Sequence, residues 1–426
     1  MKSLVRNALA SVAMLALAAS AQAKDTVVWW DFLGGGDGVR MKVLLEEFNK
    51  SNPDIEIKAT TLEWGDPFYT KVQTSAAVGE GPDIMTYHLS RLPIGVSTGA
   101  LRELTTAELD AAGIKATDFG PANFKAAQVG GKQYAVPFDI HALVLYYNKD
   151  ALKAAGLLGD DGLPKGLDGV ANFDAALKKL TGGKTKYGLS MHTAAGDSQW
   201  RIYYSLLGQQ DVPFLKDGKV LGSDADTKKA IDTADEMAKW VKSGWAPANV
   251  EYPASVALFT SGQAALHLNG VWEVPTMIDL AKSNKLGFEW GAVRIPVLYG
   301  HPATWADSHA FAIPNRKGKE LSPEKVANVL KVIHWFNTKS TFWATAGHIP
   351  AYLPASGSAE FKAMQPNATY AILQETAVFD PSSKLAGVAS PTYTAMTNYF
   401  VPAVNGQLDP KEAVMSMKDE LQALVK

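Results

Sequence analysis

Between Thr26 and Tyr87 the hydrophobic pattern switches repeatedly between a two-residue and a 3.6-residue period, and this order of elements restricts the fold most. Thr26–Trp30 (TVVWW) reads as a short buried strand, and Asp31–Gly38 (DFLGGGDG) reads as a glycine-rich loop. From Val39 to Lys50, Val43, Leu44, Leu45 and Phe48 recur at helical spacing, and Asn52-Pro53 ends that helix. Ile55, Ile57 and Ala59 then alternate with Glu56 and Lys58, as a half-exposed strand requires. Trp64–Val78 reads as helix, and Gly81-Pro82 breaks it before a strand over Asp83–Tyr87. Strand, helix, strand, helix, strand predicts an α/β lobe with a mostly parallel sheet. Further on, Ala142–Tyr147 (ALVLYY) is a strand, after which Asn148 caps a helix that Gly156 closes. Residues 159–169 form a surface loop, and helices cover Thr227–Ser243 and Ser322–Thr338. Near the C-terminus Asp409 caps a helix, Pro410 takes its first position, and Glu412 completes the capping pattern.

A chain of 426 residues exceeds the ~250–300 that one hydrophobic core supports, so two lobes are expected. Lys2 and Arg6, an apolar run over Ala8–Ala19 and the small-x-small sequence Ala21-Gln22-Ala23 make residues 1–23 a cleavable secretory signal. The apolar run is shorter than the ~20 residues that span a bilayer. There is no cysteine. That excludes disulfides, thiolate metal sites, a cysteine nucleophile and the acylated cysteine that would tether the mature chain. A protein released freely in the periplasm is expected. Lysine and arginine number 41 against 43 acidic residues, a balance that argues against a nucleic-acid partner.

Catalytic and cofactor motifs fail on context. Gly95-Val96-Ser97-Thr98-Gly99 has the G-x-S-x-G spacing, but Arg91-Leu92-Pro93 precedes it where a nucleophile elbow needs a buried strand. Gly183-Lys184-Thr185 lacks the first P-loop glycine, because position 178 is Lys178. Gly34, Gly36 and Gly38 do not continue into a dinucleotide fingerprint, since Val39 and Met41 follow. The eight histidines are scattered, with no pair at metal-ligand spacing on one helix face. No metal and no cofactor are expected. Two acids brought together in space as a glycosidase pair remain open at this level.

What recurs is a loop that joins an aromatic ring to a carboxylate, amide or imidazole. The instances are Trp29-Trp30-Asp31, Glu63-Trp64-Gly65-Asp66, Tyr87-His88, Phe138-Asp139-Ile140-His141, Gly270-Val271-Trp272-Glu273, Trp305-Ala306-Asp307-Ser308-His309 and Gly347-His348. Most fall at strand ends or before helices, where open α/β sheets place ligands. A sugar needs this mixture, because its C–H face packs on an aromatic plane while its hydroxyls require donors and acceptors. Each loop alone reads more often as the edge of a core than as a ligand site, and the case rests on the loops together. Trp29 and Trp30 point to opposite faces, so one of them is core. His192 and Trp200 sit in a long polar region where either could be surface, His334 and Trp335 read as helix packing, and Gly262 and Gly270 as residues that shape a turn and a strand end.

These segments resemble the extracellular solute-binding protein family 1, the group of maltose-binding and glycerol-3-phosphate-binding receptors. The similar stretches are FNKSNPDIEI (Phe48–Ile57), GPDIMTY (Gly81–Tyr87), YAVPFDIHALVLYYNKDAL (Tyr134–Leu152), ALFTSGQAALHLNGVWEV (Ala257–Val274) and AGHIPAYLPA (Ala346–Ala355). The resemblance implies an α/β, two-lobe periplasmic binding protein fold with three hinge crossings, near Pro137, Pro296–Trp305 and Pro350. Lobe 1 would comprise residues 24–136 and 303–349, and lobe 2 residues 137–302 and 350–426. It implies a monomeric, non-enzymatic receptor that captures a sugar or oligosaccharide and delivers it to the membrane subunits of an ABC permease. Trp272 matches the family's cleft tryptophan. Trp30, Asp31, Glu63, Trp64, His88, Asp139, His141, Glu273, Trp305 and His348 complete the candidate solute site, while Trp305 and His309 lie in a stretch (WADSHAFAIP) that departs from the family's glycine-rich pattern. Two alternatives stand beside this reading. One is a polyol or glycerol-phosphate receptor, which the scarcity of arginine in these loops disfavours. The other is a secreted glycoside hydrolase. The leader generates a prediction: intact-mass analysis of periplasmic protein should find a chain starting at Lys24, and a chain starting at Met1 would contradict cleavage after Ala23.

Overall fold

Two mixed sheets, one in each lobe, organise the molecule in a computed structural model that describes residues 24–425. The signal segment expected over residues 1–23 lies outside the described residues. In chain order the strands of these sheets are β1 (Asp25–Asp31), β2 (Ile55–Thr61), β3 (Ile84–His88), β4 (Ala135–Pro137), β5 (Asp139–Asn148), β6 (Tyr187–Ser190), β7 (Ala264–Gly270), β8 (Trp290–Val293), β9 (Thr304–Asp307), β10 (His309–Ala312), β11 (Ile349–Pro350) and β12 (Ala377–Phe379). The first sheet runs β2-β1-β3-β10-β4, and the second runs β12-β9-β5-β7-β6 with β8 and β11 also paired to β5.

The first sheet follows from the pattern read in the sequence. β1 pairs in parallel with β2 and β3, and the strand alternation buries Val27 and Trp29 while Trp30 faces the other way. Trp29 is fully buried, packs edge-on against Phe311 and Phe336, and donates its indole N–H to Thr86 at 3.0 Å. Helix α1 (Gly35–Ser51) lays Met41, Leu44 and Phe48 on this core. It starts four residues before the expected Val39, so the glycines form its first turn and the loop shrinks to Phe32–Gly34. Close packing explains this use of glycine: a Cβ on Gly36 would come within 2.5 Å of Pro275. The capping residues act as read. Asn148, Ser322 and Asp409 each accept a backbone N–H at the start of their helices. Ser97 of the rejected elbow ends a short helix, Leu92–Ser97.

Every residue of β5 is buried, and β5 is the spine of the second sheet. Its start pairs with β11 and β9, and its later residues pair with β7 on one edge and β8 on the other. The chain changes sheet across very short connections. One residue, Phe138, separates β4 in the first sheet from β5 in the second, and one residue, Ser308, separates β9 from β10. These passages touch: Phe138 N–H donates to His309 C=O at 2.8 Å, and Ala351 N–H donates to Phe138 C=O at 3.1 Å. Residues at the start of β5, the start of β10 and just before β11 are therefore neighbours. Trp29 tests the first core. Trp29→Ala should destabilise its lobe by about 3–5 kcal/mol through lost contacts and a cavity, read as a lower urea midpoint; an unchanged midpoint would mean the sheet does not rely on this ring.

Candidate functional site

A cavity of about 540 Å³ opens between the lobes, lined from one side by Phe32–Asp37, Trp64 and His88 and from the other by His141, Arg201, Tyr252, Trp272, Glu273 and Trp305. Three tryptophans form its aromatic walls, and each is held by its local structure. Trp64 projects from the link between β2 and the next helix and is 42% exposed. Trp272 follows β7 at the point where Gly270 makes room: a Cβ there would lie 2.1 Å from the indole ring. Its indole N–H donates to the Tyr252 hydroxyl at 2.9 Å, and that hydroxyl donates to Glu273. Burial raises the Glu273 carboxyl, and the Tyr252 bond partly offsets that rise. Trp305, in β9, donates its indole N–H to Asp380 at 3.2 Å, and Trp200 donates to the same carboxyl at 2.7 Å. Burial, reinforced by nearby Asp307, pushes Asp380 up to about 7.

Arg201 occupies the space among these rings. It lies one turn after Asp197 on helix α2 (Gly196–Gly208), and the two form an ion pair at 3.1 Å. Its guanidinium lies 5.0 Å from the Trp305 ring centre, 5.3 Å from Trp272 and 5.8 Å from Trp64. Arg201 Nε is buried without a hydrogen-bond partner. The expectation of an arginine-poor site is thus corrected, although Asp37, Asp197 and Glu273 line the same cavity and outnumber that one cation.

Beneath the rings lies a set of imidazoles brought together from across the chain. His141 Nδ1 is 3.2 Å from Asp139 Oδ1, and His309 Nδ1 is 2.8 Å from Asp139 Oδ2. Asp139 also accepts the His309 backbone N–H at 2.9 Å and the Trp343 indole N–H at 2.7 Å. Burial alone would raise the Asp139 carboxyl, but His309, His348 and His141 hold it well below its ordinary value. Burial, with His309 nearby, pushes His141 down to about 3, so its ring is neutral and donates from Nδ1. His348 stacks on Trp343 and meets Asp37 through Nε2 at 2.9 Å. Burial would lower it, yet Asp37 and Asp139 raise it. His88 stacks on Phe32 and bonds the Tyr69 hydroxyl through Nδ1.

Of the residues singled out in the sequence, Trp64, His88, His141, Trp272, Glu273 and Trp305 line the cavity, and so does His309. Asp139 and His348 are fully buried in the layer below. Trp30, Asp31 and Glu63 do not line the cavity. Asp31 turns its carboxylate back to the Leu33 N–H at 2.9 Å and shapes the loop instead. Trp30 packs under Lys71 on the opposite face of β1 from Trp29, and Glu63 is exposed beside Trp64. The sequence reading missed Asp37, Asp197, Arg201 and Tyr252, and it left open whether His192, which also lines the cavity, is a surface residue. The only local sign was the i,i+4 spacing of Asp197 and Arg201 in a segment that looked merely polar. Trp200, likewise left open, is fully buried.

Comparison with known proteins places this geometry among relatives. Residues 44–380 match the family described as bacterial extracellular solute-binding protein. The galactooligosaccharide-binding protein of Bacillus subtilis is 23% identical over 421 residues, 96% of this chain and 91% of its own. The mannitol-binding protein of Pseudomonas aeruginosa is 26% identical over 310 residues, 71% of this chain and 68% of its own. Among solved structures, the GacH receptor of Streptomyces glaucescens superposes with a TM-score of 0.78 at 19% identity, covering 94% of this chain and 98% of its own. Maltose-bound MalE3 of T. maritima gives 0.77 at 20% identity, covering 94% of this chain and 99% of its own. At these identities the structural likeness establishes the two-lobe fold.

The buried acid behind Trp305 has a measurable signature. The folded state holds the Asp380 proton up to about 7, whereas the unfolded chain releases it near 3.8, so the folded state binds more protons between those values. Stability must then fall as pH rises through that window. The melting temperature should decline from pH 5 to pH 8, and Asp380→Asn should flatten the decline; equal slopes would show that Asp380 does not titrate this way.

Proposed function

The chain belongs to the bacterial extracellular solute-binding proteins, and on that premise we propose that it is the periplasmic receptor of an ABC importer, capturing a sugar or short oligosaccharide between its lobes and presenting it to the permease. The observation that carries this reading is a single cavity walled by Trp64, Trp272 and Trp305, with imidazoles, carboxylates and one guanidinium between the rings. Indole faces take the C–H faces of sugar rings, and the polar groups take the hydroxyls. The cavity volume, about 540 Å³, lies within the ~300–1,000 Å³ range of small-molecule sites.

The polar groups divide the work. Nδ1 of His141 and of His309 donates to Asp139, and the neutral His141 ring keeps Nε2 as a hydrogen-bond acceptor. The unpartnered Nε of Arg201 is a donor, and its charge is already balanced by Asp197. Three carboxylates beside one arginine favour an uncharged solute over a phosphorylated one. They do not form a free catalytic pair, since Glu273 is held by Tyr252 and Asp197 by Arg201, which supports binding over hydrolysis. Solute bridging Trp64 on one lobe and Trp272 on the other would draw the lobes together about the short crossings, as a hinge. The receptor acts as a monomer without a cofactor in this scheme.

A thermal-shift screen against neutral sugars should find a stabilising solute, because a ligand that binds only the folded state raises its melting temperature. Titration calorimetry then tests the wall. Trp272→Ala should weaken that solute by at least ~2 kcal/mol, roughly thirtyfold, with little change in melting temperature. Affinity unchanged within twofold, or release of cleaved sugar by the wild-type protein, would count against the proposal.

A further inference from the structure

Asp139, His141, His309 and His348 are all buried, come from three separate segments, and bring one ligating atom each to within 4.8 Å of all the others. We propose that this cluster is a binding site for a four-coordinate divalent ion of the zinc class, placed where the chain crosses between the lobes and directly beneath the solute cavity. The site rests on the side-chain geometry and not on the identity of the solute.

The three imidazoles present the same nitrogen to one carboxylate. Nδ1 of His141 lies 3.2 Å from Asp139 Oδ1, while Nδ1 of His309 and of His348 lie 2.8 and 3.7 Å from Oδ2. The last distance is too long for a hydrogen bond. His348 Nδ1 is buried, has no partner, and points at the group it fails to reach. An unsatisfied buried polar atom is costly, and an ion at the centre of the four would satisfy it. Zinc bonds of ~2.0–2.1 Å in a tetrahedron set ligand atoms about 3.3 Å apart; the three nitrogen-to-carboxylate separations lie within about half an ångström of that, and all four atoms lie within 4.8 Å of one another. The outer contacts suit a metal as well. His348 Nε2 is 2.9 Å from Asp37, the carboxylate–histidine–metal arrangement, and the Trp343 indole donates to Asp139 at 2.7 Å. Three imidazoles and one carboxylate suit zinc and its late first-row neighbours, whereas calcium and magnesium require an oxygen shell.

The protons balance through tautomer exchange at His141 and His309 and through release to water of any proton on Nδ1 of His348, whose charged form Asp37 and Asp139 favour. Free of metal, His141 and His309 carry their proton on Nδ1 and donate to Asp139. On coordination, Nδ1 supplies its lone pair and the proton is replaced by one on Nε2, exchanged through water in the cavity. His348 keeps the proton on Nε2 toward Asp37 and coordinates through Nδ1. His141 lines the cavity, so the ion would convert the Nε2 acceptor of its neutral ring into a donor. This last consequence rests on the solute-binding reading; the metal site itself does not.

The test uses the full mature chain, stripped with chelator, incubated with zinc chloride and desalted, with metal counted by mass spectrometry. One equivalent of zinc per chain is expected, together with the intense visible bands of four-coordinate cobalt when Co2+ is substituted, and no retention of Ca2+ or Mg2+. His348→Ala should abolish stoichiometric retention. Asp37→Asn, which keeps all four ligands, should weaken zinc about 10–100-fold and stays informative if His348→Ala fails to fold. Trp272→Ala should retain zinc fully while losing solute affinity, which separates this proposal from the one above. No zinc retained above the stripped control, or retention unchanged in both His348→Ala and Asp37→Asn, would overturn the proposal and leave the cluster as a proton-linked network.

Discussion

The carboxylate of Asp139 holds together the region where the two lobes meet. It is wholly buried, and it accepts from the His309 backbone, from the imidazoles of His141 and His309 and from the Trp343 indole. Those partners belong to β5, to β10 and to the segment just before β11, so one charged group joins all the passages between the sheets. A lone buried carboxylate is expensive, and such a group persists only where several donors compensate it. The geometry at the floor of the cavity follows from that requirement, because satisfying Asp139 fixes both rings that face the solute.

The walls obey a related rule. Each of two tryptophans has its indole N–H fixed behind the cavity, Trp272 to Tyr252 and Trp305 to Asp380. The polar edge of each ring is thereby satisfied within the protein; Trp272 stays partly exposed at the cavity, whereas Trp305 is 1% exposed with Arg201 over its ring. Arg201 lies between these faces and is neutralised one turn away by Asp197. In the proposed function, pattern-blind contact from the rings is thus combined with a few directional groups, and the directional groups would set the choice of sugar.

Much of this was readable in the chain because it depends on neighbours in sequence. The alternation of periods gave the first lobe, the caps at Asn148, Ser322 and Asp409 act as local chemistry dictates, and Trp272 stands out beside Gly270. Contacts between distant segments left no such trace. Trp343 reaches Asp139 across 204 positions and His348 reaches Asp37 across 311, so histidines that look scattered converge. Arg201 lies on a helix whose polar residues resemble an exposed face until the opposite lobe covers them. Asp31 misled in the other direction, since a carboxylate beside two tryptophans suits a ligand, whereas here it closes a turn on Leu33. The early start of α1 escaped notice because glycine is a poor helix former, and the need to approach Pro275 closely outweighed that propensity.

The sheet-to-sheet passages at Phe138 and Ser308 carry a thermodynamic consequence. A binding protein joined by flexible linkers loses chain entropy whenever its halves clamp a ligand, and that loss subtracts from affinity. Here a strand in one sheet is followed after a single residue by a strand in the other, and both are held in register throughout. There is almost no slack to freeze. The proposed closure would then be a rigid rotation with little ordering, and nearly all of the free energy gained by stacking and hydrogen bonding would remain available as affinity for the solute.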